Sequence, residues 1–281
     1  MEYAARLDHV VTGFHIDDTA IDCICGNKVV KIEKSTGKVI LERILFEKEG
    51  FSRNLIATEN QMIIRDFCMI HILDKTNYSV LSSLSFGTDL SSDICGMTVD
   101  GNHIYASIRN GKIAVIDRVT FQTKTYDLAN HSMWDIRTYK DALIGGSVDG
   151  KLLWINKDGM TISKSMDLAK QNVRSLVIET DIIYSASQDK KLSKINLQEF
   201  DCITQKRNVH KKMFDCIGLF ENNLLTISYP CSEISFWDKD TLTLTKTINQ
   251  PLSLSGNTWI EDDILYITSR NILGIGMIHL H

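Results

Sequence analysis

Residues 185–196 read SASQDKKLSKIN. The run Ile182-Ile183-Tyr184-Ser185-Ala186-Ser187 that leads into this stretch is apolar and β-prone. Gln188-Asp189-Lys190 is polar and suited to a turn. Lys191-Leu192-Ser193-Lys194-Ile195-Asn196 alternates polar and apolar, as a strand with one buried face must. The segment is therefore a hairpin. Two strands alone are marginal in water, so this hairpin needs neighbours.

The neighbours are copies of it. Residues 143–156 read LIGGSVDGKLLWIN, residues 104–117 IYASIRNGKIAVID and residues 224–238 LLTISYPCSEISFWD. Residues 63–74, IIRDFCMIHILD, shorten the turn, and residues 20–33 read AIDCICGNKVVKIE. Each copy ends on a polar residue: Glu33, Asp74, Asp117, Asn156, Asn196 and Asp238. The spacing is about 40 residues throughout, the period of four-stranded propeller blades.

Ser187-Gln188-Asp189 followed by Ile195-Asn196, and Phe236-Trp237-Asp238 in the next unit, resemble the repeats of the WD-repeat β-propeller family. The resemblance covers essentially the whole chain. One unit keeps the Trp-Asp pair, and the family's repeat-opening Gly-His pair is represented by Asn130-His131 and Val209-His210. The resemblance implies an all-β fold: a seven-bladed β-propeller of four-stranded antiparallel blades, with residues 1–281 as a single domain. It also implies that His131 and His210 hydrogen-bond within their own blades, with Asp149 and Asp189 as the turn aspartates of that network.

The units run over 13–46, 53–86, 93–129 (after the connector 87–92), 133–168, 173–209 and 213–249, and a seventh starts near Asn257. That last unit offers only three strands, at 259–261, 264–269 and 272–281. Residues 2–11 hold an isolated strand before the first full unit. The N-terminal strand is thus expected to pair into the last blade and close the ring, which removes free sheet edges. The two prolines, Pro230 and Pro251, fall outside the required strands, and no segment has a helical period.

Composition narrows the function. The formal charge of −4 gives no nucleic-acid footprint. No apolar run is long enough for a membrane helix, and the N-terminus lacks a signal pattern. The seven cysteines, an odd number, sit mostly in apolar strands, which points to free thiols in a reducing cytoplasm. Cys23 and Cys25 lie two apart, a spacing that suits neither a redox pair nor a zinc site. No cofactor or metal is expected, and a monomer is the default.

Candidate binding residues lie where the innermost strands begin. The pairs Arg53-Asn54, Ser92-Asp93, Trp134-Asp135, Arg174-Ser175 and Phe214-Asp215 align there. The second member is always short and polar, suited to bonding backbone groups left open at a strand start. The first member varies, which places Arg53, Trp134, Arg174 and Phe214 at the channel mouth, where Trp and Arg are residues of binding hot spots. On the same face, the connector 206–212 carries Lys206, Arg207, Lys211 and Lys212 beside His210, a group suited to an acidic peptide, a phosphate or a nucleic acid backbone.

No phosphate loop, nucleophile elbow or metalloprotease spacing occurs. The leading reading is a non-enzymatic scaffold that binds a protein or peptide on the channel-mouth face, as WD-repeat proteins commonly do. The alternative is a lactonase- or lyase-like propeller enzyme, or a small-molecule sensor. That reading would draw on Asp93, Asp135, Asp215, His131 and His210.

Overall fold

The computed structural model describes residues 2–47, 54–129, 131–229, 233–249, 254–269 and 272–281. Arg53, Asn130, Pro230, Cys231 and Pro251 lie outside the described residues. Seven four-stranded antiparallel sheets make the fold a seven-bladed β-propeller, as the repeat predicts. Blades one to six occupy residues 11–44, 54–85, 94–127, 133–167, 173–207 and 213–249. Blade seven joins strands Leu254–Glu261, Ile264–Ser269 and Gly274–His279 to the N-terminal strand Glu2–Arg6. Glu2 stands opposite Met277 and Arg6 opposite Gly274, so the N-terminal strand supplies the missing fourth strand.

The founding hairpin forms as read, with strands Ile182–Ser187 and Lys191–Asn196. The polar residue that ends each third strand has a local task. Asp74, Asp117, Asn196 and Asp238 each turn a side-chain oxygen back to accept backbone N–H groups two and three residues on. This Asx turn replaces the ladder partners that the strand loses at its end. Four residues on, the backbone enters the left-handed region at Gly37, Tyr78, Phe121, Met160, Phe200 and Leu242. Only the first of these is glycine. Tyr78 and Leu242 are buried, so apolar burial offsets the backbone cost at those turns.

Two compact units are distinguished: residues 1–88 with 251–281, and residues 89–250. In the first, blades one and seven share a core of Val11, Phe14, Ile21, Cys23, Tyr266 and Ile275, and blades one and two share a cluster around Ile24, Leu55, Met62 and Tyr78. Gly13 lets the inner strands of blades one and two approach, since a Cβ there would lie 3.1 Å from the Asn54 Cα. Asp22 is fully buried. It accepts a 2.5 Å hydrogen bond from the Tyr78 hydroxyl and lies 3.5 Å from Lys31 Nζ. Burial and the Asp22 carboxylate both push the Tyr78 hydroxyl well above its ordinary pKa.

Blades three to six form the second unit, with cores around Leu143, Leu153 and Ile155, around Leu176, Ile183 and Ile195, and around Tyr184, Phe214 and Trp237. A Cβ at Gly96 would meet the Trp134 carbonyl oxygen at 3.1 Å, so any larger residue there would press blade four a few tenths of an ångström away.

A second repeated device follows the unit-ending polar residue by one position. Lys34, Lys75, Arg118, Lys157 and Lys239 all stand there, and all four lysines reach an acid of the preceding blade. Lys34 Nζ lies 2.5 Å from Glu261, Lys157 Nζ 2.9 Å from Asp100 and Lys239 Nζ 2.7 Å from Glu179. Lys75 Nζ lies 3.2 Å from Asp17 and 4.0 Å from Asp22. Arg118 instead donates to the Asp100 and Gly101 carbonyls of its own blade. Blade five breaks the pattern with Leu197, which is buried in the apolar cluster that includes Tyr139 and Ile144.

Burial alone would raise the Asp100 pKa, but donors from Lys157, the His103 N–H, Tyr105 and the Asn102 N–H outweigh it and hold the carboxyl at about 2. Asp17 is likewise held at about 2, against burial, by the Thr19 and Ala20 N–H groups and Lys75.

Two outcomes are expected. Deleting residues 1–11 lowers the melting temperature and promotes association, because it opens the edge of strand Gly274–His279; scanning calorimetry and gel filtration read both, and an unchanged melting point with a monomeric peak would refute it. For Asp100 the folded pKa lies below the ordinary value of 3.8, so the stability it contributes is present above about pH 4 and is lost as pH falls toward 2. Asp100→Asn should cost about 1 kcal/mol at pH 7, discounted for partial exposure, and should flatten the acid limb of stability measured by urea melts from pH 7 to pH 2.

Candidate partner-binding site

Trp134 and Arg174 owe their orientation to backbone geometry that strand alternation does not reveal. Met133 stands opposite Ser147 and Asp135 opposite Gly146, so Trp134 is an extra residue in its strand. Val173 stands opposite Ser187 and Ser175 opposite Ala186, which makes Arg174 the same kind of residue in the next blade. Such β-bulges re-aim a side chain out of the pleat. Thr12 and Cys95 occupy the matching bulges of blades one and three.

The bulges bring Trp134 and Arg174 together. The Arg174 guanidinium carbon lies 5.6 Å from the centre of the Trp134 rings, and that of Arg109 lies 5.8 Å from it. Both arginines are held from behind. Arg109 Nη2 donates to Asp93 Oδ2 at 2.7 Å, and Arg174 Nε donates to Asp215 Oδ1 at 3.1 Å. The hydrogen bond to Asp93 raises the Arg109 pKa further. With its amide turned to satisfy its neighbours, Asn172 accepts from Trp134 Nε1 at 2.9 Å and donates to the Val148 carbonyl.

The result is a row, Asp93–Arg109–Trp134–Arg174–Asp215, that crosses blades three to six. It remains accessible: the Arg109 side chain is 44% exposed and that of Arg174 28%. Each cation–π contact at such a site is worth about 0.5–1 kcal/mol. Their larger effect is to hold three long side chains in one arrangement.

The remaining expected site residues are placed differently. Phe214 is a correction: it is fully buried, in register opposite Ser228, and packs with Tyr184, Leu192 and Trp237. The backbone irregularity of its strand falls later, between Cys216 and Gly218, so nothing turns Phe214 outward. Ser92 lies in a short 3-10 turn, Leu90–Ser92, capped by Asp89, one turn before its strand. Lys206 and Arg207 end the outer strand Asp201–Arg207, Lys211 and Lys212 follow in the connector, and all four are exposed.

The short polar residues split between two tasks. Asn54 accepts from the Leu55 N–H at 2.8 Å. Asp135 accepts from the Leu176 N–H of the next blade at 2.8 Å and from Arg137 Nη2 at 3.0 Å. Burial pushes the Asp135 carboxyl above its usual range, against the pull of Arg137 and that N–H. Asp93 and Asp215 anchor arginines instead.

Arg109 was missed by the sequence reading. It sits in the hairpin turn of blade three, and its signal was the register: Ile108 stands opposite Ile94, so the turn residue Arg109 faces Asp93.

The histidines support blades. His210 is buried, with Nδ1 2.8 Å from Glu233 Oε1 and Nε2 2.8 Å from Thr226 Oγ1. Trp237 Nε1 donates to the same hydroxyl oxygen at 2.7 Å. This joins Trp237, Thr226, His210 and Glu233 within blade six. Burial lowers the His210 pKa, only partly opposed by Glu233, so the imidazole is neutral at pH 7. His131 Nδ1 lies 3.4 Å from Asp149 Oδ2 in blade four. In blade five the Ser187 hydroxyl donates to Asp189 at 2.5 Å. Among the described residues no three His, Cys, Asp or Glu side chains are grouped to hold a metal ion.

Comparison with known proteins places the fold. No family model matches the chain, and no curated protein matches it. Among solved structures, the WD40 β-propeller domain of Doa1 superposes with a TM-score of 0.77 at 15% identity, covering 98% of this chain and 96% of that one. The computationally designed protein Ika8 superposes with a TM-score of 0.71 at 12% identity, over 99% of this chain and 100% of that one. At these identities the likeness is one of fold.

Thr226→Val keeps the shape but removes the oxygen shared by Trp237 and His210. It should cost about 2 kcal/mol by denaturant melt, because two buried donors or acceptors lose their partner. A loss within error of zero would mean that the network is not structural.

Proposed function

We propose that this chain is a non-enzymatic interaction scaffold that receives a protein or peptide on the face carrying Trp134, Arg109 and Arg174. The observation that carries the reading is the row of charge-anchored arginines flanking one half-buried tryptophan. Trp and Arg are the residues most enriched where binding energy concentrates. Here their rotamers are fixed in advance by Asp93, Asp215 and Asn172. The WD40 propeller likeness fits such a role at the level of fold.

The groups that an enzyme on this face would use have other commitments. Asp93 and Asp215 hold arginines, Asp135 holds the Leu176 N–H, and His210 is shared between Glu233 and Thr226. Among the described residues no helix is long and apolar enough to cross a membrane.

The test is quantitative affinity capture from the native host, comparing wild type with Trp134→Ala and Arg174→Glu, after circular dichroism has shown both variants folded. A protein recovered at least tenfold more with wild type than with either variant is the expected result. Equal recovery with all three moves the binding face elsewhere, and no specific recovery with any of them refutes the scaffold reading.

A further inference from the structure

The connector between blades five and six forms one wall of a pocket of about 510 Å³. Lys190, Asn208, Val209, His210, Lys211 and Glu233 line it. The hairpin of blade five supplies Lys190, in the left-handed region at φ +67°, and the Val209 N–H donates to its carbonyl. Asn208 is also left-handed, at φ +54°.

The cations here differ from their neighbours. Elsewhere in residues 89–250 basic side chains are commonly paired: Lys151 with Asp167, Lys157 with Asp100, Lys194 with Asp240 and Lys239 with Glu179. Even the adjacent Lys191 lies 3.7 Å from Asp189. Among the described residues, Lys190, Lys206, Arg207, Lys211 and Lys212 have no carboxylate partner. Two of the five line the pocket and three flank it. The one acid in the lining, Glu233, is held against the blade by His210 Nδ1 at 2.8 Å and Ser235 Oγ at 3.3 Å.

We infer that this pocket binds a phosphomonoester group, as carried by a phosphorylated protein side chain. Two lysines and an asparagine amide facing one space provide donors for a compact group of about two negative charges and three acceptor oxygens. A nucleic-acid backbone would need a stripe of cations extending beyond the pocket. This chain is acidic overall, and its basic group is confined to one connector and one turn. The site is separate from Trp134 and does not rest on that reading.

The test follows amide chemical shifts of the full chain during titration with O-phospho-L-serine and, in parallel, inorganic phosphate. Saturable shifts at Asn208, Val209 and Lys211 with both probes are expected, and unphosphorylated serine should leave them unmoved. Tighter binding of O-phospho-L-serine would identify the side-chain phosphate as the source, and tighter binding of inorganic phosphate would identify a free anion. Lys190→Gln/Lys211→Gln should weaken either probe about tenfold or more, the loss expected on removing charge-assisted contacts. Trp134→Ala should leave the affinity unchanged. Absence of saturation, equal affinity in the double variant, or displacement of phosphoserine by a short single-stranded oligonucleotide at lower phosphate concentration would each overturn the assignment.

Discussion

A blade is a thin sheet that cannot bury both faces alone, so the fold depends on what fastens each blade to the one before it. Apolar contact does most of this but is indifferent to small slides. The lysine that follows the third strand supplies direction. Its ammonium ion meets an acid of the preceding blade, and in blades two and six an Asx turn sets the backbone just before it. Lys157 on Asp100 and Lys239 on Glu179 are the clearest cases. Each such pair is modest in energy, but its recurrence ties the turn chemistry of one unit to the placement of the next. Leu197 reaches the same end by apolar burial.

The arginine–tryptophan row is built on the same frame. Asp215 of blade six steadies an arginine of blade five, and Asp93 steadies one from the hairpin of its own blade. Both arginines then close on a tryptophan of blade four. The surface is therefore a product of blade spacing: a shift between blades would separate guanidinium from ring before it disturbed any single blade.

The sequence displayed the period openly, because turn chemistry is local. Asp74, Asp117, Asn196 and Asp238 recur for a reason that operates within four residues. The N-terminal strand was equally legible, since a unit short of one strand has few remedies. The bulges were not. Trp134 and Arg174 lie at strand starts and were found there, but Phe214 looks the same in sequence and is held in register, facing the core. Arg109 escaped because its partner lies across a hairpin rather than along the chain. The lysine fasteners were visible as Lys34, Lys75, Lys157 and Lys239, one place after each unit-ending polar residue. What they touch is non-local, and spacing alone does not reveal it.

The pairing of Glu2 with Met277 also has a kinetic meaning. Among the described residues, every strand of the other six blades finds its sheet partners within its own repeat, at short sequence separation. Strand Glu2–Arg6 joins a sheet assembled from residues at the opposite end of the sequence, and it meets the largest loop-closure entropy in the molecule. Six blades can thus be complete while the seventh still lacks its outer strand. On that ground the seventh blade is expected to finish last and to open first on heating.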